Sequence, residues 1–127
     1  MNNIKTANLN VSLKDLFSRW LDITKAFHKL NNQEQQVLAL LLYYQYVLKK
    51  DITNNKILWK IVFDYDTKLK IKEELNMNDS VFQNNLTHLR KKNIIINNEI
   101  NPYFIPELTN DAKNFKVIFN FNIIDNE

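Results

Sequence analysis

The sequence predicts a mostly α-helical α+β domain in which two short helices joined by a tight turn run directly into a small antiparallel β hairpin. Three observations carry that expectation. Two apolar stripes at helical spacing, Leu69–Ile71–Leu75 and Phe82–Leu86–Leu89, are separated by Asn76-Met77-Asn78, and Asn tolerates the left-handed conformation that ends helices better than any residue except Gly. The β-branched run Ile94 to Ile96 follows at once, and Asn97-Asn98 divides it from a second extended run, Glu99 to Ile105. Upstream, Gln33 to Lys49 is apolar on nearly every side, as a central helix is.

Taken in order, residues 1–11 are polar with scattered Ile4, Leu9 and Val11, and read either as a loose arm or as a short strand added to a sheet. Ser12-Leu13-Lys14-Asp15 has the form of a capping box with Val11 as a staple, and Leu13, Leu16, Phe17, Trp20, Leu21, Ile23 and Phe27 continue at helical spacing toward His28–Leu30. Asn31 or Asn32 caps the central helix. After the connector Asp51 to Asn55, the run Ile57 to Phe63 fits a short buried helix or a strand, and its position ahead of a two-helix turn favours the helix. Asp64-Tyr65-Asp66-Thr67 reads as a breaker. Asn78 or Asp79 then caps a helix over 79–92. Pro102 and Pro106 limit the second hairpin limb to an edge position. Glu107 to Asn114 reads as a turn, and Lys116 to Ile124, with Val117, Phe119, Phe121 and Ile123 alternating, as a late strand beside the hairpin.

A chain of 127 residues fits one domain, divided here into an N-terminal arm with helical support (1–50) and the two-helix turn, hairpin and late strand (51–127). It has no Cys, so disulfides and thiolate metal sites are excluded. No apolar run reaches the ~18 residues of a membrane span, and Met1-Asn2-Asn3-Ile4-Lys5 lacks a signal-peptide core, which leads to the expectation of a soluble cytoplasmic protein. Gly is absent, Arg occurs only at Arg19 and Arg90, and Asn, Ile, Lys, Phe and Tyr abound. Those are residues of A/T-rich codons and suggest an A/T-rich bacterium, plasmid or phage. Net charge is +3, with six basic residues against three acidic ones between Lys68 and Lys92. The acids Glu99, Glu107, Asp111, Asp125 and Glu127 gather after it.

The segment from Leu69 to Ile96 resembles the winged helix-turn-helix DNA-binding domains of bacterial regulators: a short helix, a second helix closing on an apolar residue and basic residues, and then an apolar strand. Leu89-Arg90-Lys91-Lys92-Asn93-Ile94-Ile95 stands in that place, with Asn93 where the family usually has Gly. The continuation Ile100-Asn101-Pro102-Tyr103-Phe104-Ile105-Pro106, with the late strand Val117 to Ile124, is also similar to the wing of plasmid and phage replication initiators. The resemblance covers a little under half of the chain and implies double-stranded DNA as partner, in transcription regulation or replication initiation.

The residues themselves point the same way. The outer face of the 79–92 helix carries Ser80, Gln83, Asn84, Thr87 and His88, side chains able to read base edges in a major groove. Lys68, Lys70, Lys91 and Lys92 are the phosphate candidates, and Asn97 and Asn98 form a wing tip able to enter a minor groove. His28, near a helix end, reads as a dipole partner; Glu73 and Glu74 as a solvated face pairing with Lys70; Trp20, Tyr44, Trp59 and Phe63 as core aromatics. Asp64 and Asp66 lack a nearby His or third acid, and without Gly no phosphate-cradling loop of the usual kind can be written. No catalytic residue, metal or cofactor is therefore expected. The apolar N-terminal helices fit a homodimer interface. A winged helix used for protein contact, as a structural or assembly component of a phage particle, is the competing expectation.

Overall fold

The computed structural model describes residues 3–125, and residues 3–11 lie exposed outside helix and strand. α1 (Leu13–Ile23) starts where Ser12 Oγ accepts the Asp15 N–H at 3.2 Å. It stops short of the expected end: Thr24 Oγ1 turns back to the Trp20 carbonyl at 2.7 Å, and the helix resumes as the single turn α2 (Lys25–His28). His28 is not a helix-end dipole partner. Its buried ring closes this corner, with Nδ1 accepting the Leu30 N–H at 3.0 Å and Nε2 lying 2.6 Å from the Leu21 carbonyl. A carbonyl only accepts, so the ring is neutral with its proton on Nε2.

α3 (Asn32–Leu48) opens on a complete capping box, in which Asn31 Oδ1 accepts the Glu34 N–H at 2.9 Å and Glu34 Oε1 accepts the Asn31 N–H at 3.1 Å. Val37, Leu38, Ala39, Leu40, Leu41, Leu42 and Tyr46 are all buried, and the exposed residues of the helix, Asn32, Gln33 and Gln36, are confined to its N-terminal end. α4 (Asn55–Val62) packs on α3 and settles the Ile57–Phe63 run as a helix, with Leu58, Trp59 and Val62 buried. Of the expected core aromatics, Trp59 and Phe63 are buried, and Trp20 and Tyr44 lie half-buried against the core. Most of the supposed breaker after Phe63 belongs to the next helix: Asp64 Oδ1 accepts the Thr67 N–H at 2.9 Å and caps α5 (Tyr65–Glu74). The expected break is there, at Phe63 and the extended Asp64, but it is shorter than expected, because Tyr65, Asp66 and Thr67 already lie in α5.

α5 turns into α6 (Asp79–Lys91) through Asn76, whose φ is 51°. The Met77 N–H reaches the Lys72 carbonyl at 2.9 Å and the Asn76 N–H the Glu73 carbonyl at 3.2 Å, the two bonds of a Schellman end. α6 closes the same way around Asn93, whose φ is 59°, with Ile94 bonded to the Leu89 carbonyl and Asn93 to the Arg90 carbonyl, both at 3.0 Å. That ending aims the chain straight into β1 (Ile95–Ile96), which pairs antiparallel with β2 (Glu99–Ile100), Ile95 opposite Ile100 and Ile96 opposite Glu99. Asn97 and Asn98 both have positive φ, 53° and 55°, the conformation whose twist matches a two-residue hairpin. Among the described residues this gives six helices and a two-stranded sheet, a winged-helix-type α+β topology.

The C-terminal third departs from expectation. The second limb ends at Ile100, because Asn101 Oδ1 accepts the Tyr103 N–H at 3.1 Å and Pro102–Phe104 coils into a 3₁₀ turn. Residues 104–110 then strap the helices through their carbonyls: Trp20 Nε1 donates to Phe104 at 2.8 Å, Lys49 Nζ to Leu108 at 2.9 Å and Tyr46 Oη to Thr109 at 2.7 Å. Burial lowers the Lys49 pKa. Residues 116–125 lie outside helix and strand, without the expected pairing beside the wing.

Asn93 carries two functions at once, ending α6 and directing the wing. Asn93→Val should lower unfolding stability in urea by about 1–2 kcal/mol, the left-handed penalty of a side chain with a branched Cβ, whereas Asn93→Gly should cost nothing or stabilise. Equal losses in the two variants would show that backbone conformation is not what the position selects.

Candidate nucleic-acid interface

α6 buries Phe82, Asn85, Leu86 and Leu89 against α3 and the wing and turns the other side outward. Ser80, Asn84, Thr87 and Lys91, at successive steps of four, three and four, form the centre of that outer face, and all four are exposed. Ser80, Asn84 and Lys91 hold no side-chain partner among the described residues, while Thr87 Oγ1 bonds back to the Gln83 carbonyl at 3.0 Å.

The flanks are held. On the side toward α3, His88 Nδ1 donates to Glu34 Oε2 and Lys92 Nζ to Glu34 Oε1, each at 2.9 Å. The Glu34 side chain is only 3% exposed, while those of His88 and Lys92 remain 51% and 41% exposed. Burial alone would raise the Glu34 pKa, but the Lys92 ammonium, the Asn31 N–H and His88 together outweigh it and hold the carboxyl below its ordinary range. On the opposite flank Lys72 Nζ bonds Asp79 Oδ1 at 2.9 Å across the turn, and Lys72, Gln83 and the charge of Lys68 favour the Asp79 carboxylate.

The structure therefore sorts the sequence candidates. Ser80, Asn84, Thr87 and Lys91 are brought together on one exposed line, with half-buried Gln83 at its edge. His88 and Lys92 share the helix but are engaged by Glu34. Lys68 lies on the α5 flank toward Asp79, whereas Lys70, two residues on, lies on the other flank with Glu74. Glu74 pairs with Lys14 of α1 at 2.6 Å rather than with Lys70. Asn97 and Asn98 are exposed at the wing tip, and the base of the wing is closed by the Asn101 N–H on the Ile94 carbonyl at 2.8 Å and by Asn101 Nδ2 on the Asn93 carbonyl at 3.2 Å.

Three participants escaped sequence reading. Glu34 sits 54 residues before His88, so only the fold brings the pair together. Asn85, on the buried side of α6, donates to the Val81 carbonyl at 3.0 Å and is polar where the stripe called for an apolar residue. Arg90, exposed and without an ion pair among the described residues, was legible from its place in the basic run. No group of three or more His, Cys, Asp or Glu among the described residues is arranged to hold a metal, and no helix among them is long and apolar enough to cross a membrane. Comparison with protein-family models, with curated proteins and with solved structures finds no match to the chain.

Glu34 and His28 make stability depend on acidity in two separate windows. Glu34 has a depressed folded pKa, so its contribution is complete above its unfolded value near 4.5 and is lost as pH falls below that. His28, also depressed by burial, resists protonation and costs stability as pH falls below its ordinary 6.5. Glu34→Gln should lower stability at neutral pH by about 2 kcal/mol and flatten the loss below pH 4.5, leaving the His28 window intact. Urea midpoints measured from pH 7 to pH 3 check this, and an unchanged acid limb would refute the assignment to Glu34.

Proposed function

We propose that this protein binds double-stranded DNA, with α6 in the major groove and the β1–β2 wing on the adjoining backbone and minor groove. The observation that carries the reading is the exposed Ser80–Asn84–Thr87–Lys91 line on a helix whose two flanks are already fixed to α3 and α5. An α-helix of ~10–12 Å diameter fits the ~12 Å major groove. Asn84 is the residue suited to paired bonds with an adenine edge, and Ser80 and Thr87 supply single donors or acceptors. Arg90 and Lys91 meet phosphates at the C-terminal turn, and Lys68 does so from α5. Asn97 and Asn98 present amides at the wing tip, where the groove is narrow.

The chemistry proposed is recognition without catalysis, inside the cell that holds the DNA, as a transcription regulator or as an initiator binding a replication origin of an A/T-rich phage or plasmid. Both roles begin with binding through the same surface.

Retardation of duplex DNA should be observed at low ionic strength and weaken steeply with salt. Lys91→Glu should weaken binding to all sequences alike and reduce the salt slope by roughly one unit. Asn84→Ala should change the preferred sequence by about 1–3 kcal/mol of discrimination while leaving non-specific binding in place. No retardation of any duplex at low salt would overturn the reading and favour the use of this fold for protein contact within a phage particle.

A further inference from the structure

The apolar stripe of α1 and α2 continues beyond what the core uses: Leu16, Trp20, Ile23 and Phe27 follow one another at helical spacing, and Ile23 and Phe27 remain exposed. The C-terminal segment meets it at Phe115 and Phe119. Phe115 meets Trp20 edge-on with centroids 5.8 Å apart, and Phe119 stacks on Phe27 at 6.2 Å with the planes 5° from parallel. Beyond Phe119 the chain keeps an alternating apolar pattern but finds no cover: Phe121 is 87% and Ile123 94% exposed. Among the described residues no hydrogen bond reaches 116–125. A segment with strand sequence and backbone groups free of partners within the chain is a template for pairing with another chain.

We propose that residues 116–124 pair antiparallel with the same residues of a second copy of this chain, centred on Asn120, to form a two-stranded ribbon across a two-fold axis. The sequence is self-complementary in that register. Val117 falls opposite Ile123 and Phe119 opposite Phe121, so Val117, Phe119, Phe121 and Ile123 of both copies share one face, while Asn120 faces its own counterpart on the other. Shifting the pairing by one residue would mix Asn120 and Asn122 into the apolar face. Charge agrees with the antiparallel sense, because the segment is preceded by Lys113, begins at Lys116 and is followed by Asp125, so each basic start meets the acidic end of the other copy. A two-stranded ribbon alone is marginal in water. Here its apolar face rests on the Ile23–Phe27 stripe of each copy, to which Phe119 is already bound. The second copy thus covers Phe121 and Ile123, which the chain alone leaves in solvent, and satisfies the backbone of both segments at once.

The absence of Cys makes the register directly measurable in the full chain. The protein should sediment as a dimer, and Asn120→Cys should cross-link to itself on mild oxidation. Val117→Cys alone should not, but should do so when mixed with Ile123→Cys. Phe121→Asp, at a solvent-exposed position, should weaken dimerisation at least tenfold while leaving the helical circular dichroism and the thermal midpoint of the monomer unchanged. A monomer at all concentrations, a dimer indifferent to Phe121→Asp, or cross-linking equal at all three cysteine positions would each overturn the proposal; the second result would place the dimer contact on another surface, such as the outer faces of α1 and α3. DNA retardation does not enter these readouts, so the ribbon and the DNA-binding reading stand or fall separately.

Discussion

The burial of α3 is the constraint on which the rest of the arrangement depends. A helix with apolar side chains on nearly every side has to be enclosed, and α1, α4, α5 and α6 all pack on it. At ~1.5–3 kcal/mol for each large side chain taken out of water, Val37, Leu38, Leu40, Leu41, Leu42 and Tyr46 outweigh any single polar contact in the molecule. The position of α6, and with it the exposed polar line, is a consequence of filling the last open side of α3 with Phe82, Leu86 and Leu89. Hydrophobic burial is non-directional, however, and leaves the rotation of α6 about its own axis loosely set.

Directional groups supply what burial does not. Glu34 is part of the cap of α3 and, through His88 and Lys92, part of the last turn of α6. A buried carboxylate is costly unless paired, and His88 and Lys92 can both reach it only in a narrow range of helix orientations. The Lys72–Asp79 pair acts at the other end of α6 and on the other flank.

Where structure follows from local chemistry, the sequence was readable. Caps at Ser12, Asn31 and Asn78 were signalled by residue type, whereas the cap at Asn54 was hidden in what reads as a polar connector; four of the five left-handed positions among the described residues, Asn76, Asn93, Asn97 and Asn98, are where a chain without Gly puts its next most tolerant residue, the fifth being Lys29. The break at Asp64 was legible but read as too long, since Tyr65, Asp66 and Thr67 have the polar character of a connector and yet form the first turn of α5. The late strand was misread for a different reason: Val117 to Ile123 has strand periodicity, but a strand needs a neighbour, and whether one is within reach is a property of the tertiary fold. At the candidate site the exposed line was legible from helical spacing, while the engagement of His88 and Lys92 was not, since Glu34 lies far away in the chain. His28 was hidden similarly, its role depending on the Leu21 carbonyl beyond the break at Thr24.

The two tethers of α6 have a thermodynamic consequence for any partner laid along its outer face. With one end held by Glu34 on one flank and the other by Lys72 on the opposite flank, rolling the helix breaks a charged contact in either direction. The Asn101 bonds to Ile94 and Asn93 likewise close the base of the wing where it leaves α6. The backbone positions of Ser80, Asn84, Thr87 and Lys91 are therefore set before any encounter, and the backbone entropy of arranging them was surrendered during folding rather than at the moment of association. Of the free energy gained at each contact, a larger share remains for discriminating one partner from another.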